Sequence, residues 1–190
     1  MKKIINKIVN NYLKKFPNEY ERLSNFISYL DCHEDNEITD WNNFEGHIVA
    51  SGFVYSKEDK KFLVLYHNDM KMYVYPGGHI DSSDTDPESA TRRELEEETC
   101  LNNLNNYIIN NDKLIPLDID THIIKKNERL NLPPHYHFDF RYLYLIDKIQ
   151  DISIDKDESR DYKWIDIEEL STITNCTVIV PKIRKIIERL

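Results

Sequence analysis

Glu94, Glu96, Glu97 and Glu98 crowd into the stretch RRELEEETC, residues 92–100. Like charges three or four residues apart on a helix repel by roughly 0.2–0.5 kcal/mol per pair, so the crowding calls for a compensating charge. At ~100° per residue, Glu94, Glu97 and Glu98 fall within one arc of about 100°, while Glu96 points nearly the opposite way. Carboxylates converging from i, i+3 and i+4 offer an oxygen-only donor set that suits Mg²⁺ or Mn²⁺. Such a cation clamps phosphate oxygens and makes a bound water more acidic. Arg93 borders the arc and can orient or neutralise part of it, and Leu95 lies to one side, where it can anchor the helix to a sheet. The bland alternative for a glutamate-rich helix taken alone is a solvated charged face.

The flanking residues specify where this helix begins. Asp86 is a good N-cap, Pro87 suits the first helical position, and Glu88 places negative charge near the positive helix end. A helix is therefore expected at about 87–99. Before it, the strand-like KMYVY runs into Pro76-Gly77-Gly78, and glycines let backbone approach a ligand closely. Strand, P-G-G, short polar loop, capped helix and R-E-x-x-E-E in that order form a joint pattern far more specific than any one part.

Other elements frame this unit. HIVASGFVYS and KKFLVLYHN read as strands joined by a hairpin turn at SKEDK. The asparagine-rich stretch 101–112 reads as a loop with a strand edge. Strand patterns resume near 114–124, and HYHFDFRYLYLID, 135–147, alternates over much of its length. DYKWID is a further short strand, IEEL opens a helical turn, and Pro181 suits the first turn of a final helix. At the other end, residues 3–15 and 18–31 carry apolar residues at helical spacing. Pro17 separates them and Asn18 can cap the second, which reads as a helical hairpin. Strands mixed with a central and a terminal helix indicate α/β layers.

The composition narrows the partners. A net charge of −9 disfavours broad, sequence-independent binding to nucleic acid or to acidic membranes. A phosphorylated small molecule stays compatible if local cations receive it. No apolar run approaches the roughly 20 residues of a membrane span, and MKKIINKIVNNYLKKF reads as a structural helix and not a signal peptide. Cys32, Cys100 and Cys176 are odd in number and far apart, so they suggest neither a disulfide framework nor a zinc site. A reducing cytoplasm is the expected location.

At this point the sequence resembles the Nudix hydrolases, whose box reads G-x5-E-x7-R-E-U-x-E-E-x-G-U with U a bulky aliphatic residue. The matching residues are Gly78 and Arg93-Glu94-Leu95-Glu96-Glu97-Glu98-Thr99-Cys100-Leu101. PGGHIDSSDTDPESATRRELEEETC further resembles a subgroup with GGH and an aspartate-rich loop, as do HYHFDFRYLYL and DESRDYKWIDIEEL. The similarity covers residues 44–190, leaving 1–43 as an N-terminal helical extension. It implies an α/β/α sandwich with a mixed sheet. It also implies hydrolysis of a nucleoside diphosphate linked to another group, by water attack on a diphosphate phosphorus. Mg²⁺ or Mn²⁺ is the implied cofactor, held by Glu94, Glu97, Glu98 and a backbone carbonyl near Gly78. Arg93, Glu97 and Glu98 are the implied catalytic groups.

Such enzymes often draw a base from a later acidic residue, for which Glu158 is the first candidate and Asp161 the next. Gly77, Gly78, His79, His137 and Arg141 are expected at the substrate. His135 and His137 share one strand face at i and i+2, with Arg141 on that same face; half-exposed structural histidines are the bland alternative. The partner expected is a small nucleoside diphosphate derivative, and the chain a monomer or homodimer.

Three departures stand out. Fourteen residues separate Gly78 from Arg93, one more than the box allows. No glutamate stands at the box's first acidic position, where forward counting reaches Asp84 and backward counting Thr85. Cys100 replaces the terminal glycine; a left-handed non-glycine residue is strained, so the helix is expected to end later, near Asn102 or Asn103, with a buried, inert Cys100 thiol, an exposed redox-reactive thiol being the alternative. The disturbed loop motivates a second reading, a Nudix-fold nucleotide-binding module with weak or no turnover. A third is an acidic helix in an interaction protein.

Overall fold

The β-branched and aromatic runs build one mixed sheet in the computed structural model, which describes residues 1–109, 111–126, 132–173 and 175–190. Its strands are β1 (Gly46–Ser56), β2 (Lys61–His67), β3 (Met72–Val74), β4 (Gly77–His79), β5 (Asn105–Asn106), β6 (Asp118–Ile124), β7 (His135–Ile146) and β8 (Ser159–Ile165). The long strands β1 and β7 run parallel in unbroken register from Gly46↔Tyr136 to Ser56↔Ile146. At its start β1 also pairs with β4, through Val49↔His79, Ala50↔Gly78 and Ser51↔Gly77. At its end it forms the hairpin with β2, which in turn carries β3 and β8. β5 and β6 pair with β7.

A parallel central pair is normally covered on both faces, so its strands read as near-continuous burial rather than alternation. All of β1 is buried, and β7 is buried without a break from Phe138 to Tyr144. The alternation expected in 135–147 is therefore chemical and not one of exposure. Even-numbered residues of β7 meet helices: Phe138 and Phe140 contact Phe26, and Tyr144 reaches Glu88. The odd-numbered face carries His135, His137, Asp139 and Arg141, and is covered in part by the segment leading into the last helix, where the Asn175 carbonyl accepts from Arg141 at 2.6 Å.

The helices are α1 (Lys2–Lys15), α2 (Ser24–Cys32), α3 (Pro87–Thr99), α4 (Ile167–Leu170) and α5 (Ile179–Ile187). None among the described residues is long and apolar enough to cross a membrane. The expected second helix at 18–31 is shorter than its periodicity implied. Pro17–Glu19 forms a 3₁₀ turn and regular helix starts only at Ser24. In between, Glu19 and Arg22 turn inward: Arg22 meets Asp118 at 3.0 Å, and Lys182 meets Asp118 at 2.7 Å and Glu19 at 2.5 Å. This ionic cluster ties the N-terminal helices, β6 and α5 together, and Ile5, Ile8, Tyr12 and Phe26 share one apolar core with the sheet.

At α3 the start is as read. Asp86 accepts from the Ser89 amide at 2.9 Å, and Ser89 Oγ accepts from the Asp86 amide at 3.1 Å, which makes a reciprocal capping box. The end is not. The helix stops at Thr99, and Cys100 takes the left-handed conformation with φ 54°. The carbonyls that a longer helix would use are already satisfied, Glu98 by the Asp155 amide at 3.3 Å and Thr99 by the Ser153 amide at 3.2 Å. That turn leaves Cys100 exposed and not buried.

Candidate active site

The capped helix and the glycine strand meet edge-on. A Cβ added at Gly78 would lie 2.6 Å from both the carboxyl carbon and Oε1 of Glu94, so the carboxylate rests directly on the glycine α-carbon. Gly77, at φ 149°, donates its amide to Glu98 Oε2 at 2.8 Å. Leu95 is fully buried and anchors the helix. The i, i+3, i+4 spacing thus brings Glu94 and Glu98 against the P-G-G turn. Glu97 sits on the rim with its side chain 57% exposed, and Glu96 faces solvent.

Arg93 holds this arrangement. Its Nη1 donates to Glu94 Oε1 at 2.9 Å and to Glu97 Oε2 at 2.8 Å. Its Nη2 donates to the His79 carbonyl and to Asp84 Oδ2, both at 2.9 Å. Asp84 also receives Nε at 3.3 Å, so it grips the guanidinium through both oxygens. The one-residue insertion is absorbed in the turn Asp81–Asp84, where the Asp81 amide donates to Asp84 Oδ2 at 2.7 Å and aims that carboxylate. The partner of Arg93 is the shorter acid reached by counting forward from Gly78.

Burial dominates the electrostatics. It pushes the Glu94 carboxyl up to about 7, against the opposing pull of Arg93. It pushes Glu98 up to about 8, against the Gly77 amide, with Glu158, Glu94 and Asp155 adding repulsion. Arg93 thus offsets Glu94 only in part, and no ion pair reaches Glu98 among the described residues. Oxygen donors alone, a cradle that a Cβ would fill and this charge deficit fit a hard dication such as Mg²⁺ or Mn²⁺.

Glu158 is exposed yet close enough to raise both glutamates, so the field of the site includes it. Asp161 is also exposed and accepts the Tyr73 hydroxyl. Arg141 needs correction as a phosphate contact. It is fully buried, donating to Asp120 at 2.5 Å, to Asp139 at 3.1 Å and to the Asn175 carbonyl. Those partners come from β6, β7 and the approach to α5, and they leave the guanidinium no solvent-facing edge.

His79 and His137 come together, but on the other side of β4. Gly78 faces Glu94, and successive strand residues alternate, so His79 turns to the opposite face. There its ring centroid lies 5.7 Å from that of His137 and 5.0 Å from that of His47. Burial lowers His47 to about 4 and lowers His137 as well, with the neighbouring histidines adding repulsion. His47 and His122 were not singled out in the sequence. The available signal was positional: pairing puts His47 and His122 beside His137 on its two flanking strands.

Comparison with known proteins agrees with this architecture. A family model described as the NUDIX domain matches residues 46–190. The chain is similar to a C. elegans Ap4A hydrolase in a binary complex, with 18% identity and TM-score 0.57, covering 75% of this chain and 98% of that one. It is similar to the E. coli dihydroneopterin triphosphate pyrophosphohydrolase, with 15% identity and TM-score 0.57, covering 75% and 96%. It is also similar to a NUDIX-family hydrolase from Clostridium perfringens, with 26% identity and TM-score 0.51, covering 75% and 96%. Comparison with curated proteins gives no match.

Proposed function

The chain belongs to the Nudix family of hydrolases, and we propose that it is a Mg²⁺- or Mn²⁺-dependent pyrophosphohydrolase of a nucleoside diphosphate linked to another group. The observation that carries this reading is the seating of Glu94 and Glu98 on Gly77-Gly78, with Glu97 at the rim and burial pushing both seated carboxyls up. Glu94, Glu97, Glu98 and the Gly78 carbonyl would hold the cation. When bound, it supplies charge neutralisation for diphosphate oxygens and acidifies a coordinated water.

The chain's own residues do the positioning. Arg93 fixes Glu94 and Glu97 while Asp84 fixes Arg93. The Gly77 amide occupies one oxygen of Glu98, and the other would be the ligating oxygen. Glu158, solvent-facing on the segment before β8, is the proposed acceptor of the proton that the attacking water gives up. Its reach into the field of Glu94 and Glu98 favours it over Asp161, which is engaged by Tyr73. An anionic substrate approaching a chain of net charge −9 needs such a cation to bridge the two. The reading places the reaction in the cytoplasm, on a small molecule, by a monomer or homodimer.

The alternative, a binding module without turnover, rests on the enlarged loop, and the grip of Asp84 on Arg93 weighs against it. A panel of nucleoside diphosphate derivatives, with products identified, separates the two. Ap4A and dihydroneopterin triphosphate, named for two similar structures, belong in that panel. Turnover that requires Mg²⁺ or Mn²⁺ and falls at least ~100-fold in Glu97→Gln and Glu98→Gln supports hydrolysis. Ligand bound tightly and recovered intact across the panel supports the module. Turnover untouched by chelator contradicts the metal reading.

A further inference from the structure

We propose that His47, His79 and His137 form a second metal site, a nitrogen-donor site for Zn²⁺, with His135 completing the donor set. The register of three strands builds it. β1 and β7 set His47 beside His137. β4 sets His79 opposite Val49, two residues along β1 from His47 and therefore on its face. One ring nitrogen from each of these three residues lies within 4.8 Å of the others. Zn–N bonds of 2.0–2.1 Å imply tetrahedral nitrogen separations of roughly 3.3–3.4 Å. His135 Nε2 and His137 Nε2, 3.2 Å apart, already stand at that separation. The nitrogens of His47, His79 and His137 need to close by no more than about 1.5 Å, within reach of imidazole rotation.

The outer partners orient the rings as a metal site requires. His47 Nδ1 lies 3.4 Å from the Asn43 carbonyl, and His135 Nδ1 lies 2.8 Å from the Pro133 carbonyl. A carbonyl only accepts, so both Nδ1 atoms carry the proton and both Nε2 atoms present a lone pair. His47 Nε2 is buried and has no hydrogen-bond partner among the described residues. A proton on His137 Nε2 would satisfy His135 yet leave His47 Nε2 unmet; a cation satisfies all of them. His122, whose Nδ1 is backed by Asp120 at 2.8 Å, packs its ring 5.8 Å from that of His137 on the outer side.

The donor chemistry separates the two sites. Imidazole nitrogens favour Zn²⁺ and its late first-row neighbours, whereas the carboxylates around Gly78 favour Mg²⁺ or Mn²⁺. Gly78 and His79 are adjacent and face opposite sides of β4, so each cation has its own set. His79 is solvent-exposed, which gives the cation a way in. The His79 carbonyl also accepts from Arg93 at 2.9 Å, so metal on its ring would brace the backbone that steadies the carboxylate helix.

The test is Zn²⁺ retention by the full chain against a chromophoric chelator, in millimolar Mg²⁺ to fill the carboxylate site. One Zn²⁺ per chain is expected, and Co²⁺ in its place should give the intense visible bands of a four-coordinate nitrogen site. His79→Ala, on an exposed side chain, should weaken retention at least tenfold. His47→Phe should remove it. Glu98→Gln should leave it unchanged. Retention that survives His79→Ala, retention that Glu98→Gln removes, or a Co²⁺ spectrum of the weak octahedral type would each overturn the site, as would no retention by the unsubstituted chain.

Discussion

Replacing Glu98 with glutamine should stabilise the metal-free protein, and by more at pH 8 than at pH 6. Burial holds the Glu98 carboxyl up near 8 in the folded chain, against an ordinary value of 4.5. The folded state therefore binds this proton more tightly than the unfolded state does. Its contribution to stability is complete below about pH 4.5 and is lost as pH rises through about 8. One pKa unit corresponds to ~1.36 kcal/mol, so between pH 6 and pH 8 the parent chain should lose about 2 kcal/mol from this group alone. Glutamine keeps an oxygen for the Gly77 amide and carries no charge to bury, so the loss is absent in Glu98→Gln. Urea unfolding in chelator at the two pH values measures the difference. Millimolar Mg²⁺ should then restore the parent chain at pH 8 and do little for the variant. A stability difference between the two proteins that is the same at pH 6 and pH 8 would refute the charge deficit on which the cation reading leans.

Gly78→Ala places a methyl 2.6 Å from the Glu94 carboxyl; turnover should fall at least tenfold, with an overpacking cost of about 1–3 kcal/mol, read by steady-state kinetics beside thermal melting. Cys100→Gly relieves a left-handed residue at φ 54° and should raise stability by about 1 kcal/mol in urea unfolding, with turnover unchanged. Asp118→Asn removes a fully buried charge facing Arg22, Arg141 and Lys182; a loss of ~3–5 kcal/mol is expected, and a loss under about 1 kcal/mol would show that the cluster does not tie the N-terminal helices to the sheet.

What the sequence made legible was local. Asp86, Pro87 and the glutamate spacing lie on one short helix, so cap, helix and carboxylate arc could be read by counting residues. The same counting placed His137 and Arg141 on one strand face. It could not tell that Asp118 and Asp120, more than twenty positions earlier, would enclose Arg141, because that depends on how β6 registers against β7. The helix end at Thr99 was set by amides of Ser153 and Asp155, partners invisible from Cys100 itself. The role of Asp84 was ambiguous by one residue, and the Asp81–Asp84 turn resolved it in favour of forward counting. The histidine cluster was legible only in part, for the same reason as Arg141: His79, His135 and His137 were named, but the pairing of three strands is what adds His47 to them.

The most direct measurement is an anomalous difference map from crystals of the full chain soaked in Mn²⁺. The expected result is a peak enclosed by Glu94, Glu97, Glu98 and the Gly78 carbonyl, lost in crystals of Glu98→Gln. A map in which those three carboxylates point to solvent, with no peak among them, would contradict the proposed catalytic centre.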